Sequence, residues 1–231
     1  LLLGLGAAAY WLGPAIQGPR PYVRAAASVP VHADLAAAEA LIRRGRMAEA
    51  KARVDEFLAA TVEVKPHDRA TAHRLLGTIA GLADPRLAET EFEQALLVDA
   101  NDREALYWTG YLAFQAGELE PARAKMQRLL ELGTAASDDL ARLRGRIWLG
   151  KVAQDDGDLA GARDHMIEAE RIARSRSGAD DEWVREVTEA AIRFGDVLAA
   201  SGAKADALAK YDAALQIRER HAHEQPENLD R

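Results

Sequence analysis

Residues 102–132 read DREALYWTGYLAFQAGELEPARAKMQRLLEL, and this stretch decides the fold. It divides into two apolar-periodic halves at Ala116-Gly117-Glu118. Leu106, Gly110 and Ala113 fall on one face of the first half, and Ala122, Met126 and Leu129 on one face of the second. Spacings of three and four residues place each set on one side of an α-helix. Neither helix can bury that side alone, so the pattern requires neighbours of the same kind.

The chain supplies them. Gly77 precedes Gly110 by 33 residues, and Ala88, Phe92 and Ala95 precede Ala122, Met126 and Leu129 by 34. Gly150, Gly157, Ala162, Met166 and Ala169 follow their counterparts by 40, and Gly195, Gly202, Ala207, Tyr211 and Ala214 follow these by a further 45. At the start, Ala38, Gly45, Ala50, Val54 and Phe57 make a fifth copy, the least typical in its first helix. Small residues let paired helices approach closely, and a glycine ahead of the second helix suits a turn that needs positive φ. The pattern predicts helices over 32–44, 47–60, 67–82, 85–98, 102–116, 118–132, 137–156, 158–175, 180–201 and 203–222. No strand-like alternation competes with them.

These residues resemble the tetratricopeptide repeat family, whose unit is about 34 residues long. The resemblance rests on Leu76-Gly77 and Leu149-Gly150, with Thr109-Gly110 and Phe194-Gly195 as variants, and on the turn glycines. The alanine of each second helix and the connection Asp99-Ala100-Asn101-Asp102 add to it. It covers residues 32–223 and implies an all-α, right-handed superhelical solenoid of about five helix pairs, with repeats at about 32–60, 67–99, 102–132, 137–175 and 180–223. The 40- and 45-residue spacings imply lengthened helices or loops in the later repeats. Trp183, Arg185, Gly195-Asp196, Leu215 to Arg220 and Pro226-Glu227-Asn228 resemble the longer repeats of multi-domain bacterial proteins, in which Pro-Glu-Asn leads into a further repeat.

Residues 1–17, LLLGLGAAAYWLGPAIQ, carry no charge. The run sits at the short limit for a bilayer-spanning helix, which needs roughly 20 residues. Tyr10 and Trp11 suit an interfacial zone, and Gly13-Pro14 suits a helix end. The expectation is a transmembrane-like anchor, truncated at its start, with a buried core helix as the alternative and a signal-peptide remnant, cleaved near Ala25-Ala26-Ala27, as a weaker third. Gly4-x-Gly6-x-x-Ala9 has the spacing of a dinucleotide fingerprint, but Pro14 stops any helix after one turn and no second strand follows. Residues 18–31, with prolines and no helical period, read as a linker, and 224–231 as a tail. Together these features place the chain in a membrane, as a single-pass protein of the bacterial inner membrane with a periplasmic solenoid. Arg20 and Arg24 just after the apolar run weigh against that side.

Composition narrows function. A net charge of −7 and no basic block interleaved with aromatics argue against a nucleic-acid partner. The absence of cysteine excludes thiolate metal sites, disulfides and cysteine nucleophiles. No nucleophile elbow, zinc-protease helix or phosphate loop occurs, so no catalytic residue and no cofactor are expected. Asp155-Asp156-Gly157-Asp158 lacks the ligand ladder of a calcium loop and coincides with a repeat turn. His221 and His223 face different sides of a helix, so no metal site is read there.

The resemblance implies binding on the inner surface lined by first helices. It places there Tyr107, Tyr111, Phe114 and Gln115 in the third repeat, Arg74 and Thr78 in the second, Ile147, Lys151 and Gln154 in the fourth, and Ile192 and Asp196 in the fifth. Tyr107, Tyr111 and Phe114 form one stripe at helical spacing. The stripe either packs on a neighbouring repeat or anchors a partner, as aromatic residues do at interface hot spots. A carboxylate clamp built from lysine and asparagine is not expected, because Asn101 and Asn228 are the only asparagines and neither lies on such a face. The expected function is a membrane-tethered, non-enzymatic scaffold that binds a partner protein, a peptide or its own kind. The alternative is the C-terminal sensor region of a larger signalling protein whose effector precedes Leu1.

Overall fold

The computed structural model describes residues 32–60, 64–81, 83–176 and 180–224. Among them are ten α-helices and no strands: α1 (Ala33–Arg43), α2 (Met47–Ala60), α3 (Pro66–Ala80), α4 (Pro85–Val98), α5 (Arg103–Gln115), α6 (Leu119–Ala135), α7 (Asp139–Asp155), α8 (Leu159–Ser175), α9 (Asp181–Ala200) and α10 (Lys204–Glu224). The expected helices lie within a few residues of these, the largest difference being the end of α6. Residues 1–17, 18–31 and 225–231 fall outside the described residues, and with them the anchor and the linker. Among the described residues no helix is long and apolar enough to cross a membrane.

Each helix pair is closed by size complementarity. The side chain that lodges against the glycine of the first helix is Phe92 at Gly77, Met126 at Gly110, Met166 at Gly150 and Tyr211 at Gly195. A Cβ added at those glycines would lie within 2.9, 2.8, 2.6 and 2.4 Å of the partner side chain. Glycine at four first helices thus serves one purpose, the seating of a large residue four positions after the second-helix alanine; the Phe92 and Tyr211 rings press on it directly, whereas Met126 and Met166 meet it with their flexible Cε ends. In the first pair Ala38 and the smaller Val54 share one fully buried cluster.

The turns within pairs repeat as well. Gly45, Gly117, Gly157 and Gly202 have φ of +74°, +80°, +86° and +81°. The next residue then donates back to a carbonyl in the last turn: Arg46 to Leu41, Glu118 to Ala113, Asp158 to Ala153 and Ala203 to Leu198, at 2.8–2.9 Å. Such a bond satisfies carbonyls that the helix end leaves open. The second pair closes differently, with Asp84 accepting from the Arg86 and Leu87 amides ahead of Pro85. Asp102, Asp138, Asp158 and Asp180 cap their helices in the same manner.

The longer later spacings extend helices. α6, α7 and α8 have 17 residues and α9 has 20, against 14 in α4 and 13 in α5. Successive elements pack in sequence order, and first helices also touch one another at α1–α3, α5–α7 and α7–α9. That second set of contacts creates the surface on which the predicted site residues lie.

Candidate functional site

The surface shared by α5, α7 and α9 is built around Arg144, only 4% exposed. Its Nε donates to Glu186 Oε1 at 3.0 Å, Nη2 to Glu182 Oε1 at 2.8 Å and Nη1 to Glu104 Oε2 at 3.3 Å. The guanidinium carbon lies 4.3 Å from the centroid of the Tyr107 ring. Glu104 also accepts from Trp108 Nε1 at 2.9 Å. One cation thus joins the first helices of three successive repeats. The additional N-terminal turns of α9 make this possible, because they carry Glu182 and Glu186 back alongside α7.

Three carboxylates sharing one guanidinium in a buried setting cannot all be comfortably ionised. Burial pushes Glu182 from its ordinary 4.5 up to about 7 against the pull of Arg144, with Glu104 and Glu186 adding repulsion. Burial also raises Glu104, again opposed by Arg144. Burial alone would favour a neutral Arg144, but Glu186 and Glu104 hold it charged, well above its ordinary value. The Tyr107 hydroxyl is pushed up by burial and by Glu186, so it stays protonated.

An aromatic ladder runs from the cluster along α5. Trp108 stacks on Phe92 with centroids 6.0 Å apart and meets Tyr107 and Tyr111 edge-on at 5.1 and 5.8 Å. Tyr111 and Phe114 meet Trp148 of the next repeat edge-on at 5.1 and 5.4 Å. Edge-to-face pairs at these separations match the ring quadrupoles. The predicted stripe therefore packs on the neighbouring repeat along its length, while Tyr111 and Phe114 remain half-buried with one side open.

The other expected residues divide by burial. Tyr107 is 3% exposed and Ile147 fully enclosed, so both belong to the core beneath the surface. Thr78 is buried as well. Arg74 reaches forward to Asp102 at 3.4 Å. Gln115 is exposed, and Ile192 is half-buried. Lys151 pairs with Asp155 and lies 5.5 Å from the Phe114 ring centroid. Gln154 places Oε1 where neither solvent nor any hydrogen-bond donor reaches it. Asp196 accepts from the Tyr211 hydroxyl at 2.9 Å and from Arg193 Nη1 at 3.3 Å, and Arg193 Nε donates to Glu189 at 2.7 Å. Tyr111, Phe114, Gln115 and Lys151 are thus brought together at the α5–α7 boundary, and Gln154 follows Lys151 by three residues along α7. Arg74 stands apart, beside a cavity of about 590 Å³ formed by the first turns of α3, α5 and α7, whose wall includes Asp102, Glu104, Tyr107 and Arg144.

Sequence reading did not single out Arg144, Glu104, Glu182 or Glu186. A signal existed: Glu182 and Glu186 are four apart among Trp183, Val184 and Val187, and Arg144 interrupts Leu140, Leu143 and Ile147. Charges inside apolar stripes on successive first helices are partners in waiting. Among the described residues no group of three or more histidine or acidic side chains is arranged to hold a metal ion.

No family model matches the sequence. Cellulose synthase operon protein C of Xanthomonas axonopodis pv. citri (strain 306) is 30% identical over 176 residues, covering 75% of this chain and 11% of that protein. The chain therefore corresponds to about a tenth of that relative's length. Among solved structures, PilF of Pseudomonas aeruginosa superposes with a TM-score of 0.61 at 23% identity, over 80% of this chain and 74% of that one. YrrB, described as a TPR protein with an unusual peptide-binding site, superposes with a TM-score of 0.55 at 20% identity, over 81% of this chain and 86% of its own. The glycine-seated helix pairs, the repeated turns and these likenesses agree: the chain has the fold of tetratricopeptide-repeat proteins.

Proposed function

We propose that the chain is a non-enzymatic interaction scaffold that takes an extended segment of a partner protein across the α5–α7 boundary. The observation that carries this reading is the half-buried aromatic pair Tyr111 and Phe114, with the Lys151 ammonium 5.5 Å from the Phe114 ring centroid. The half-buried rings supply apolar anchorage, and Gln115 and Lys151 supply a polar rim, as protein interfaces combine the two. The peptide-binding site named for YrrB supports a peptide ligand by analogy of fold. Residues 1–17 would tether the scaffold to the bacterial inner membrane, with the repeats on the periplasmic side; nucleic acid has no place in this reading.

The test is site-specific photo-crosslinking in cells. A photoreactive residue at Gln115 is expected to capture a discrete partner, and one at Arg163 on a second helix is not. Phe114→Ala with Lys151→Glu should abolish capture from Gln115 while the circular dichroism spectrum stays that of the wild type. Equal capture from both positions, or capture untouched by the double variant, overturns the proposed surface. Deleting residues 1–17 should release the chain from sedimented membranes; retention in the pellet removes the tether.

A second reading is favoured by the match to a small part of a much longer polypeptide. In it, the repeats are the sensor section of a larger signalling protein whose effector precedes Leu1. The open reading frame upstream of Leu1 decides it, and a short methionine-led extension alone would sink it.

A further inference from the structure

Within a helix pair, the residue four before the small residue of the first helix stands opposite the residue three after the alanine of the second. In the first pair these are Asp34 and Arg53, 3.0 Å apart, and in the second His73 and Glu91, 2.8 Å apart. In the third and fifth the first-helix member is apolar, Leu106 or Ala191, and the second-helix lysine reaches back to the preceding pair instead. Lys125 donates to Glu93 at 2.7 Å and Lys210 to Glu170 at 2.6 Å. A carboxylate thus takes part in every pair but the fourth. There the two members are Arg146 and His165, with Arg146 Nη1 3.2 Å from His165 Nδ1. The places from which Glu93 and Glu170 reach forward, five and eight residues after the preceding alanine, hold Gln127 and Leu130 ahead of this pair.

Burial, Arg146 and Arg123 hold the His165 ring below its ordinary 6.5, against the opposing pull of Asp164 and Asp158, so it is neutral at pH 7. A guanidinium can only donate, so Nδ1 accepts and the ring proton sits on Nε2. Among the described residues no acceptor meets the other nitrogens of either side chain, and none of those nitrogens is enclosed. The edge therefore offers donors alone. The carboxylates around it are engaged: Glu168 by Arg171 at 2.8 Å, Asp139 by Arg142 at 2.6 Å, Asp156 by Arg123 at 2.8 Å and Asp158 by the Gly161 amide at 2.9 Å. We propose that this edge of the fourth pair docks an acidic segment of a partner protein, one carboxylate taking the place that Glu91 fills in the second pair. An exposed ion pair is too weak to hold a lone anion, so the carboxylate comes on a chain with further contacts. Arg142 and Arg171, whose charges act on Glu168 together with that of Arg146, lie ready for its other acidic residues. The proposal rests on the scaffold reading but uses the α8 side of α7, whereas Tyr111, Phe114 and Lys151 meet on the α5 side.

Fluorescence anisotropy of a labelled hexaglutamate peptide with the full chain, in low salt, tests it. The wild type should bind the peptide, and the His165 ring resonances should shift on binding. Arg146→Gln should weaken binding by about tenfold. Arg163→Gln removes the same charge from an exposed position on α8 and should leave binding unchanged. His165→Glu supplies the missing carboxylate from within, as Glu91 does opposite His73. It should lose the peptide while melting at or above the wild-type temperature, which separates loss of the site from loss of the fold. Phe114→Ala with Lys151→Glu should keep the peptide, so the α5–α7 surface can fail without this one. A wild type that does not bind hexaglutamate overturns the proposal, as does binding that survives both Arg146→Gln and His165→Glu. Equal losses from Arg163→Gln and Arg146→Gln would reduce the effect to net charge and overturn it too. Loss in the α5–α7 double variant would assign the peptide to that surface instead. Inorganic phosphate bound as tightly as the peptide would make the edge a simple ion site and remove the partner segment.

Discussion

Arg103 and Arg144 both reach from one first helix toward the next, and they do so in different surroundings. Arg103 Nε lies 3.2 Å from Asp138 at the rim of the α5–α7 joint, with its side chain 37% exposed. Arg144 is enclosed at the α7–α9 joint among Glu104, Glu182 and Glu186. The rim pair fastens a helix cap that Asp138 already provides through the Leu140 and Ala141 amides. The interior cluster is itself the contact between three repeats. The same residue type sits at the rim of one joint and is enclosed in the other, and the difference is access to water. Exposed pairs are worth under about 1 kcal/mol, whereas removing one partner of a buried set costs about 3–5 kcal/mol.

The sharpest way to break this contrast is to remove each arginine in turn. Arg144→Met should lower stability in urea at pH 7 by about 3–5 kcal/mol, because it leaves the buried Glu182 and Glu186 and the partly buried Glu104 without their shared partner. Arg103→Ala should lower it by less than about 1 kcal/mol. Adding Glu182→Leu and Glu186→Leu to Arg144→Met should recover most of the loss, since apolar groups of similar size can replace a buried ion cluster. Comparable losses from Arg144→Met and Arg103→Ala would erase the distinction.

The pH dependence sharpens the same comparison, with a smaller expected effect. In the native chain Glu182 holds its proton until about pH 7, whereas an unfolded chain releases it near 4.5. Between those values the native state binds more protons than the unfolded state, so stability falls as pH rises. The contribution is complete below about pH 4.5 and lost as pH passes 7. Glu182→Gln stays neutral throughout, so its denaturation midpoint should lack this component. Identical slopes for wild type and Glu182→Gln between pH 5 and 7 would show that Glu182 titrates with its ordinary affinity.

What the sequence made legible follows from periodicity. Gly110 with Met126, and its counterparts at Gly150 with Met166, announce a close helix pair because the steric rule is local and repeats. The turn glycines were legible for the same reason. The Arg144 cluster was not, since it depends on how far the added turns of α9 reach back along α7, and no local rule fixes that distance. Tyr107 and Ile147 were placed on the binding surface by register alone. Register gives a direction from the helix axis, but the bulk of Trp108, Trp148 and α9 decides whether a side chain pointing that way meets water.

The smallest expected effect concerns a turn where one joint departs from the pattern. Ser137 sits between α6 and α7 with φ of +52°, where four other turns of the chain use glycine. The following residue makes the same return bond, from the Asp138 amide to the Gly133 carbonyl at 2.8 Å. A residue with a Cβ in this conformation costs roughly 1–2 kcal/mol. Glycine removes that cost but adds freedom to the unfolded chain, worth about 0.4–1 kcal/mol the other way. Ser137→Gly should therefore stabilise the chain by about 0.5–1 kcal/mol, and Gly117→Ser, in the equivalent turn within the third pair, should destabilise it by a similar amount. Opposite signs from two substitutions that exchange the same residues would establish that backbone conformation, and not the serine hydroxyl, governs this joint. Destabilisation by both would assign the hydroxyl a role at the edge of the cavity that Ser137 helps to line.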